Sequence, residues 1–221
     1  LFLFSHYICS LFLNSIMSEF VLIPKYEKVI QDLLQQQYSI VDDFFSVDEV
    51  ENLRDSLLKK YEEDEFKKAA IGNQFNEQII KTIRGDFISW IDESQKNEAE
   101  AVFFDKIEHF TNYLNRTCFL GIQEREFHYA LYPIGTFYKR HLDTFQNDDS
   151  RKLSIVCYLN EEDWTEDFGG ELAIYKEDET INVFPLKGRM VVFESQILEH
   201  EVKPVRRERL SITGSLKTRK L

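Results

Sequence analysis

The spacing of apolar residues changes partway along the chain, and this change is the feature that most limits the fold. Before Glu124 apolar residues recur every three or four positions, whereas beyond it they alternate with polar ones. Eight short alternating runs follow, separated by turn-like stretches such as NDDS, EDFGG and LKGR. The runs are EFHYALYP, TFYKRHLD, KLSIVCYLN, ELAIYK, TINVFP, RMVVFES, HEVKPV and RLSITGSL. Many short strands with regular turns predict a β-sandwich or barrel of the jelly-roll kind.

The first half of the chain is predicted to be mainly helical. Its expected elements are helices over Lys25–Gln37, Ser46–Phe66 and Ala101–Cys118 and strands over Tyr38–Phe45 and Ile79–Ile91. Ser46, followed three residues later by Glu49, is typical of a capping box at a helix start. Helices first and strands afterward predict an α+β fold. We expect a double-stranded β-helix (jelly-roll) core over 121–221, N-terminal buttressing helices within 17–120, and one integrated domain.

Composition narrows the class of protein. The 221 residues include 39 acidic and 27 basic side chains, for a net charge of −12, which argues against a nucleic-acid groove. Apolar residues make up 43%, enough for a sizeable core. The three cysteines, Cys9, Cys118 and Cys157, lie far apart and predict neither a disulfide framework nor a zinc knuckle. We expect a cytoplasmic protein that binds neither nucleic acid nor membrane.

Residues 1–16, LFLFSHYICSLFLNSI, differ from the rest of the chain. The run is shorter than the roughly 20 apolar residues that span a bilayer, and it lacks the basic start and cleavage site of a secretory signal. Met17 is followed by a sequence typical of a protein start. We interpret residues 1–16 as a mis-assigned start or a disordered segment; a membrane anchor is the alternative.

A His-x-Asp pattern falls at the end of one predicted strand. In a strand, alternate residues face the same side, so His141 and Asp143 can converge on one ion. Such a pair is common by chance. However, His200 opens a later strand and can supply a second imidazole. Two histidines and one carboxylate form the facial triad of non-haem Fe(II) oxygenases, which leaves coordination positions open.

An arginine downstream extends this pattern. Arg209 and Ser211 are same-face neighbours on the last strand. A buried guanidinium beside an iron site needs an anion, and its planar fork suits a carboxylate such as the distal one of 2-oxoglutarate. Tyr158, on another strand, can donate a hydroxyl to the same carboxylate. Each residue alone is open to a structural interpretation: an ion pair, a core side chain or part of the basic C-terminus.

The run from Ile83 to Thr213 resembles a known enzyme family. The matching stretches are IRGDFISWI, YPIGTFYKRHLD, CYLN, DW, GGEL, GRMVVFES, HEVKP and RLSIT, all in order. They resemble the Fe(II)- and 2-oxoglutarate-dependent prolyl hydroxylases, above all the oxygen-sensing prolyl hydroxylase domain enzymes and their bacterial relatives. The resemblance implies hydroxylation of a prolyl residue in a protein substrate, with release of succinate and CO2. It implies Fe(II), 2-oxoglutarate and dioxygen, with ascorbate as a reductant, and an elongation factor Tu-like protein as a candidate substrate.

The resemblance also implies roles for individual residues, which fall into three groups. The iron ligands are His141, Asp143 and His200. The cosubstrate-binding residues are Arg209, Tyr158, Tyr132 and Ser211. The substrate-side residues are Tyr138, Arg151, Arg84 and Asp86, although a strand-end ion pair is an equal alternative for the last two.

The chain departs from the oxygen-sensing enzymes around the expected substrate groove. The interval from Tyr132 to His141 is one residue shorter, the loop from Asp143 to Arg151 is one longer, and Ser215 replaces a tryptophan. Two alternatives therefore stay open. One is hydroxylation of free proline or another amino acid by the same chemistry, and the other is a jelly-roll binding module without catalysis.

Overall fold

A computed structural model describes residues 21–69, 83–144 and 150–219. Its helices are α1 (Pro24–Gln36), α2 (Val47–Glu62), α3 (Glu98–Cys118) and a 3-10 turn at Glu166–Phe168. Its strands are β1 (Tyr38–Val41), β2 (Lys67–Lys68), β3 (Phe87–Trp90), β4 (Ile122–Tyr132), β5 (Tyr138–His141), β6 (Arg151–Tyr158), β7 (Leu172–Tyr175), β8 (Thr180–Val183), β9 (Met190–Glu194), β10 (Glu199–Val202) and β11 (Arg209–Thr218).

The strands form two antiparallel sheets. The larger sheet has seven strands in the order β1-β9-β6-β11-β4-β3-β2, and the smaller has four in the order β5-β10-β7-β8. Strands β4 to β11 correspond to the eight alternating runs of the sequence. The predicted α+β class and jelly-roll core are therefore confirmed.

Capping boxes mark the starts of α2 and α3. Ser46 and Glu49 form the expected capping box at the start of α2. A second capping box, from Asn97 and Glu100, starts α3 at Glu98, before the predicted Ala101. Asn97 accepts from the Glu100 N–H at 3.0 Å, and this pair was missed because the apolar stripe begins later.

Some expectations on the first half are corrected or lie outside the description. The first strand ends at Val41 rather than Phe45, because Asp42 turns away to pair with Arg189 at 2.6 Å. The strand expected over Ile79–Ile91 is observed only as β3, and residues 79–82 lie outside the described residues. Residues 1–16 also lie outside them, so the proposed boundary at Met17 stays a prediction.

The larger sheet separates two apolar clusters. One face packs on the helices: Phe103, Phe110 and their neighbours on α3 contact the cluster that includes Phe127 and Tyr129 of β4. The other face of the larger sheet, with Ala130 and Tyr132 of β4, faces the smaller sheet. Alternation along one strand thus supplies both a helix-facing core and a face toward the space between the sheets. Among the described residues, no helix is long and apolar enough to cross a membrane.

Gly214 lets β11 pass between β4 and β6. A Cβ atom there would lie 2.1 Å from the Glu126 carbonyl oxygen and 2.3 Å from a Phe127 ring carbon. We expect Gly214→Ala to lower the free energy of unfolding by about 3 kcal/mol, the upper end of the usual cost of overpacking. Urea denaturation measures this change. Ser215→Ala, its neighbour on the same strand, is the control and should cost at most about 1 kcal/mol, because it adds no atom to the site; equal losses would contradict the steric argument.

Candidate active site

Two side chains on the smaller sheet and one from the turn after β5 meet at one point. His141 is the last residue of β5, and it lies directly opposite His200 of β10. Asp143 follows two residues beyond the strand end, so the turn rather than the strand places its carboxylate. Asp143 Oδ1 lies 3.3 Å from Nε2 of His141 and 3.5 Å from Nε2 of His200. The ligand atoms of all three residues lie within 4.8 Å of one another, which suits a single metal ion.

Backbone carbonyls orient both imidazoles. Nδ1 of His141 donates to the Lys139 carbonyl at 2.7 Å, and Nδ1 of His200 donates to the Leu198 carbonyl at 3.1 Å. A ring whose Nδ1 carries the proton has its lone pair on Nε2, the atom that faces Asp143. This is the usual arrangement of histidines that bind metals.

Two buried serines orient the carboxylate. Ser154 Oγ donates to Asp143 Oδ2 at 2.6 Å, and it shares a second hydrogen bond of 2.8 Å with Ser195 Oγ. Both serines are fully buried on the inner side of the larger sheet. Sequence analysis assigned them no role. The available signal was the placement of Ser154 on the same face of β6 as Tyr158, which points toward the site.

The charges of the three residues favour a cation. Burial lowers the pKa of His141. Burial would also lower the pKa of His200, but attraction to the Asp143 carboxylate outweighs it and raises that pKa. Burial opposes ionisation of Asp143, yet attraction to His200 and contacts with both imidazoles hold its pKa well below the usual value. An ionised carboxylate beside two imidazoles is a donor set that a divalent metal ion requires.

Arg209 lies at the inner end of the site with its charge unpaired. The residue is 1% exposed, and none of its three guanidinium nitrogens has a hydrogen-bond partner among the described residues. Its guanidinium carbon lies 5.0 Å from the Tyr132 ring and 4.9 Å from the Tyr158 ring. The Tyr158 hydroxyl also lacks a partner there. Burying an unpaired cation costs free energy. The Arg209 guanidinium is therefore suited to bind a carboxylate ligand, such as the distal end of 2-oxoglutarate.

Gly170, in the GGEL stretch, occupies a position that requires glycine. It has φ +70°, and a Cβ atom there would lie 3.1 Å from Cδ of Arg209 and 2.8 Å from Val205. A side chain at this position would therefore press on the arginine. The glycine keeps room for the buried guanidinium and its ligand.

One cleft of about 740 Å³ connects these groups. Its lining includes eight of the sequence-predicted residues: Arg84, Tyr132, Tyr138, His141, Asp143, Arg151, His200 and Arg209. Asp86, Tyr158 and Ser211 lie outside that lining. Ser211 is fully buried and pairs with Tyr158 across β6 and β11, with its hydroxyl 3.4 Å from that of Thr213. Ser211 therefore packs behind the predicted 2-oxoglutarate site and does not line the cleft.

The expected substrate-side residues are engaged with each other or with the site. Arg84 donates to both carboxylate oxygens of Asp86, at 2.8 and 2.6 Å, so the two residues form an ion pair, and their substrate-side role stays a prediction. Arg151 donates to Glu126 at 2.6 Å and to the Asp143 carbonyl at 2.8 Å. Arg151 therefore holds the turn that carries a metal-site residue.

Trp90 and His128 are among the further residues that line the cleft beyond the expected set. Trp90 is 56% exposed at the end of β3, and its ring lies 4.8 Å from that of His128. Burial lowers the pKa of His128 to about 4, so its imidazole is neutral, and its Nδ1 is buried without a partner among the described residues. The sequence predicts no role for His128, because no pattern of metal-ligating residues surrounds it.

Comparison with known proteins agrees with this geometry. The model of the 2OG-Fe(II) oxygenase superfamily matches residues 127–217. A prolyl-4-hydroxylase from Pseudomonas putida is 38% identical, with a TM-score of 0.80 over 89% of this chain and 100% of that one. A Trichoplax adhaerens prolyl hydroxylase, solved with a hypoxia inducible factor oxygen degradation domain peptide fragment, is 27% identical, with a TM-score of 0.79 over 87% and 88%. A Phytophthora capsici prolyl 4-hydroxylase at 23% identity shares the fold, with a TM-score of 0.71 over 92% and 68%.

The fold and the site define a jelly-roll oxygenase of the non-haem iron class. The chain belongs to the 2OG-Fe(II) oxygenase superfamily and is prolyl hydroxylase-like within it. Its activity is that of a 2-oxoglutarate-dependent dioxygenase, and its cofactor and cosubstrates are Fe(II), 2-oxoglutarate and dioxygen.

The serine behind Asp143 gives a test of the metal site. Ser154→Ala removes the hydrogen bond that fixes the carboxylate, and loss of such a supporting contact typically weakens metal binding about 10- to 100-fold. Titration of the metal-free protein with Co(II) measures this. Ser39→Ala is a matched control, because fully buried Ser39 donates to Asp32 at the same 2.6 Å but far from the site. Equal effects of the two variants would mean that Ser154 stabilises the fold only.

Proposed function

We propose that the protein hydroxylates a prolyl residue within a protein substrate. The observation that carries the proposal is the cleft, which runs from buried Arg209, past the three-residue metal site, to exposed Trp90 on β3. The inner end, at Arg209, suits 2-oxoglutarate, and the outer end, at Trp90, would receive the substrate. Identity of 38% to a prolyl-4-hydroxylase over that chain's whole length supports the reaction, and the Trichoplax adhaerens complex supports a protein segment as substrate.

The residues would divide the work as follows. His141, Asp143 and His200 would hold Fe(II), and Ser154 would orient the carboxylate. Arg209 would bind the distal carboxylate of 2-oxoglutarate, with Tyr158 as a hydroxyl donor and Tyr132 packed beside the guanidinium. Bound Fe(II) would use dioxygen and 2-oxoglutarate to hydroxylate an unactivated carbon: one oxygen atom would enter the substrate and the other succinate, with release of CO2. The chain supplies orientation and a site buried from water.

The main test compares the wild-type protein with His141→Ala and Asp143→Ala. Each protein is incubated with Fe(II), 2-oxoglutarate and a cell lysate, and prolines that gain 16 Da are mapped by mass spectrometry. The wild type should modify defined prolines, and both variants should lose this activity together with succinate release, because each lacks one metal ligand. Full turnover in either variant would contradict the assignment of the metal site.

The same assay separates the alternatives. Succinate release with free proline or another amino acid, without modified proteins, would favour a small-molecule hydroxylase. Absence of turnover with every substrate class would favour a binding module, against which the complete set of ligands argues. An elongation factor Tu-like substrate, a cytoplasmic location and ascorbate as reductant stay predictions.

Arg209→Lys tests the cosubstrate site. Lysine keeps the charge but loses the planar fork, and a charge-assisted hydrogen bond is worth about 1.5–3 kcal/mol. We expect the apparent constant for 2-oxoglutarate to rise roughly ten- to a hundredfold while Co(II) binding stays near normal. Arg207→Lys is the control, because Arg207 lies two residues away and pairs with exposed Asp163 at 2.7 Å. An unchanged constant in Arg209→Lys would contradict the assignment.

A further inference from the structure

His141 and His200 are supported unequally by the smaller sheet. His200 lies on β10, which pairs with a strand on each side, and its ring packs edge-on against Phe193 at 4.6 Å. His200 is only 4% exposed. His141 is instead the last residue of β5, the outermost strand of that sheet. A side chain at the end of an edge strand needs a further contact to fix its ring.

Segment 83–86 covers this edge. The Gly85 N–H donates to the Phe137 carbonyl at 3.0 Å, and the Lys139 N–H donates to the Ile83 carbonyl at 2.8 Å. The same stretch of chain then enters β3 of the larger sheet. One short segment therefore ties the two sheets together beside the metal site.

Three side chains stack across this junction. The Arg84 guanidinium lies 4.3 Å from the centroid of the Tyr138 ring. The Tyr138 ring in turn lies 3.6 Å from the His141 ring, with only 18° between their planes. A guanidinium and the face of an aromatic ring attract each other, so Arg84 holds the Tyr138 ring against the His141 ring.

Asp86 fixes the position of the Arg84 guanidinium, the outer group of this stack. Its carboxylate is 1% exposed and accepts two hydrogen bonds from Arg84, at 2.8 and 2.6 Å. A planar fork held at two points cannot swing away from Tyr138 without leaving a buried charge unpaired. The stack is therefore fixed at its outer end by this ion pair and at its inner end by the Nδ1 hydrogen bond of His141.

We propose that Arg84 and Tyr138 are positioning residues for the metal ligand His141. Asp86 fixes Arg84, Arg84 holds the Tyr138 ring, and that ring sets the plane in which the His141 imidazole presents Nε2. This inference rests on the proposed function, since it requires His141 to bind the metal. It gives Arg84, Asp86 and Tyr138 a role in metal affinity, distinct from the substrate contact that the family resemblance implies.

Metal titration of the full chain tests the proposal without turnover. The metal-free protein is titrated with Co(II), and its visible absorption gives both the dissociation constant and the ligand geometry. Tyr138→Leu removes the ring and should weaken Co(II) binding about tenfold, the low end for a supporting contact. Tyr138→Phe keeps the ring without the hydroxyl and should stay within about twofold of the wild type, because stacking requires only the ring.

A second Arg–Tyr stack on the same sheet provides a matched control. Arg140 lies 4.1 Å from the ring of Tyr175, which packs on the outer side away from the metal ligands. Tyr175→Leu should leave Co(II) binding unchanged. The double variant Arg84→Met with Asp86→Asn frees the Tyr138 ring without leaving a buried charge, and it should also weaken binding. This variant decides the question if Tyr138→Leu does not fold.

The outcomes separate this proposal from the one on which it rests. Wild-type Co(II) binding in folded Tyr138→Leu, with a raised KM for a proline-containing peptide, would overturn the positioning role in favour of substrate contact. His141→Ala is run beside it and should abolish normal binding. If His141→Ala itself binds Co(II) normally, the metal-ligand assignment fails, and the positioning role fails with it.

Discussion

The pairing of β11 with its two neighbours is the constraint on which the rest of the structure depends. Arg209 lies opposite Tyr132 of β4, and Ser211 lies opposite both Ala130 and Tyr158. This register points Arg209 toward the cleft while Leu210, the next residue, joins the helix-facing core. A slip of one residue would exchange the two faces and place the guanidinium among phenylalanines. Gly214 fixes the register because only a residue without Cβ fits beside the Glu126 carbonyl.

Sequence reasoning succeeded where function depends on local pattern. Alternation located the strands, and the His141–Asp143 spacing together with His200 identified the three metal-site residues, because their types and order are specific. It could place Ser154 on the same face of β6 as Tyr158, but it could not find the hydrogen bonds of Ser154, because they join residues 11 and 41 positions apart. Nor could it find the stack of Arg84, Tyr138 and His141, because Arg84 lies more than 50 positions before the other two residues.

The site combines rigid support with unfavourable electrostatics. Arg209 is buried without a partner among the described residues, and Asp143 is held ionised between two imidazoles. The unpaired guanidinium costs stability in the isolated chain and is relieved by an anion, whereas the carboxylate, which the imidazoles already keep ionised, is available to a cation. Ligand binding should therefore stabilise the fold, because ligands that bind only the folded state shift the equilibrium toward it.

The larger sheet ends in a strand of two residues. In β2 both positions are lysines, Lys67 and Lys68, and both are exposed. A long apolar edge strand would offer its free backbone groups to a strand from another molecule, which is the usual start of aggregation. A short, positively charged edge offers few such groups and repels a second copy of itself. This edge, whose lysines also line the cleft, therefore has little tendency to recruit further strands beside the site.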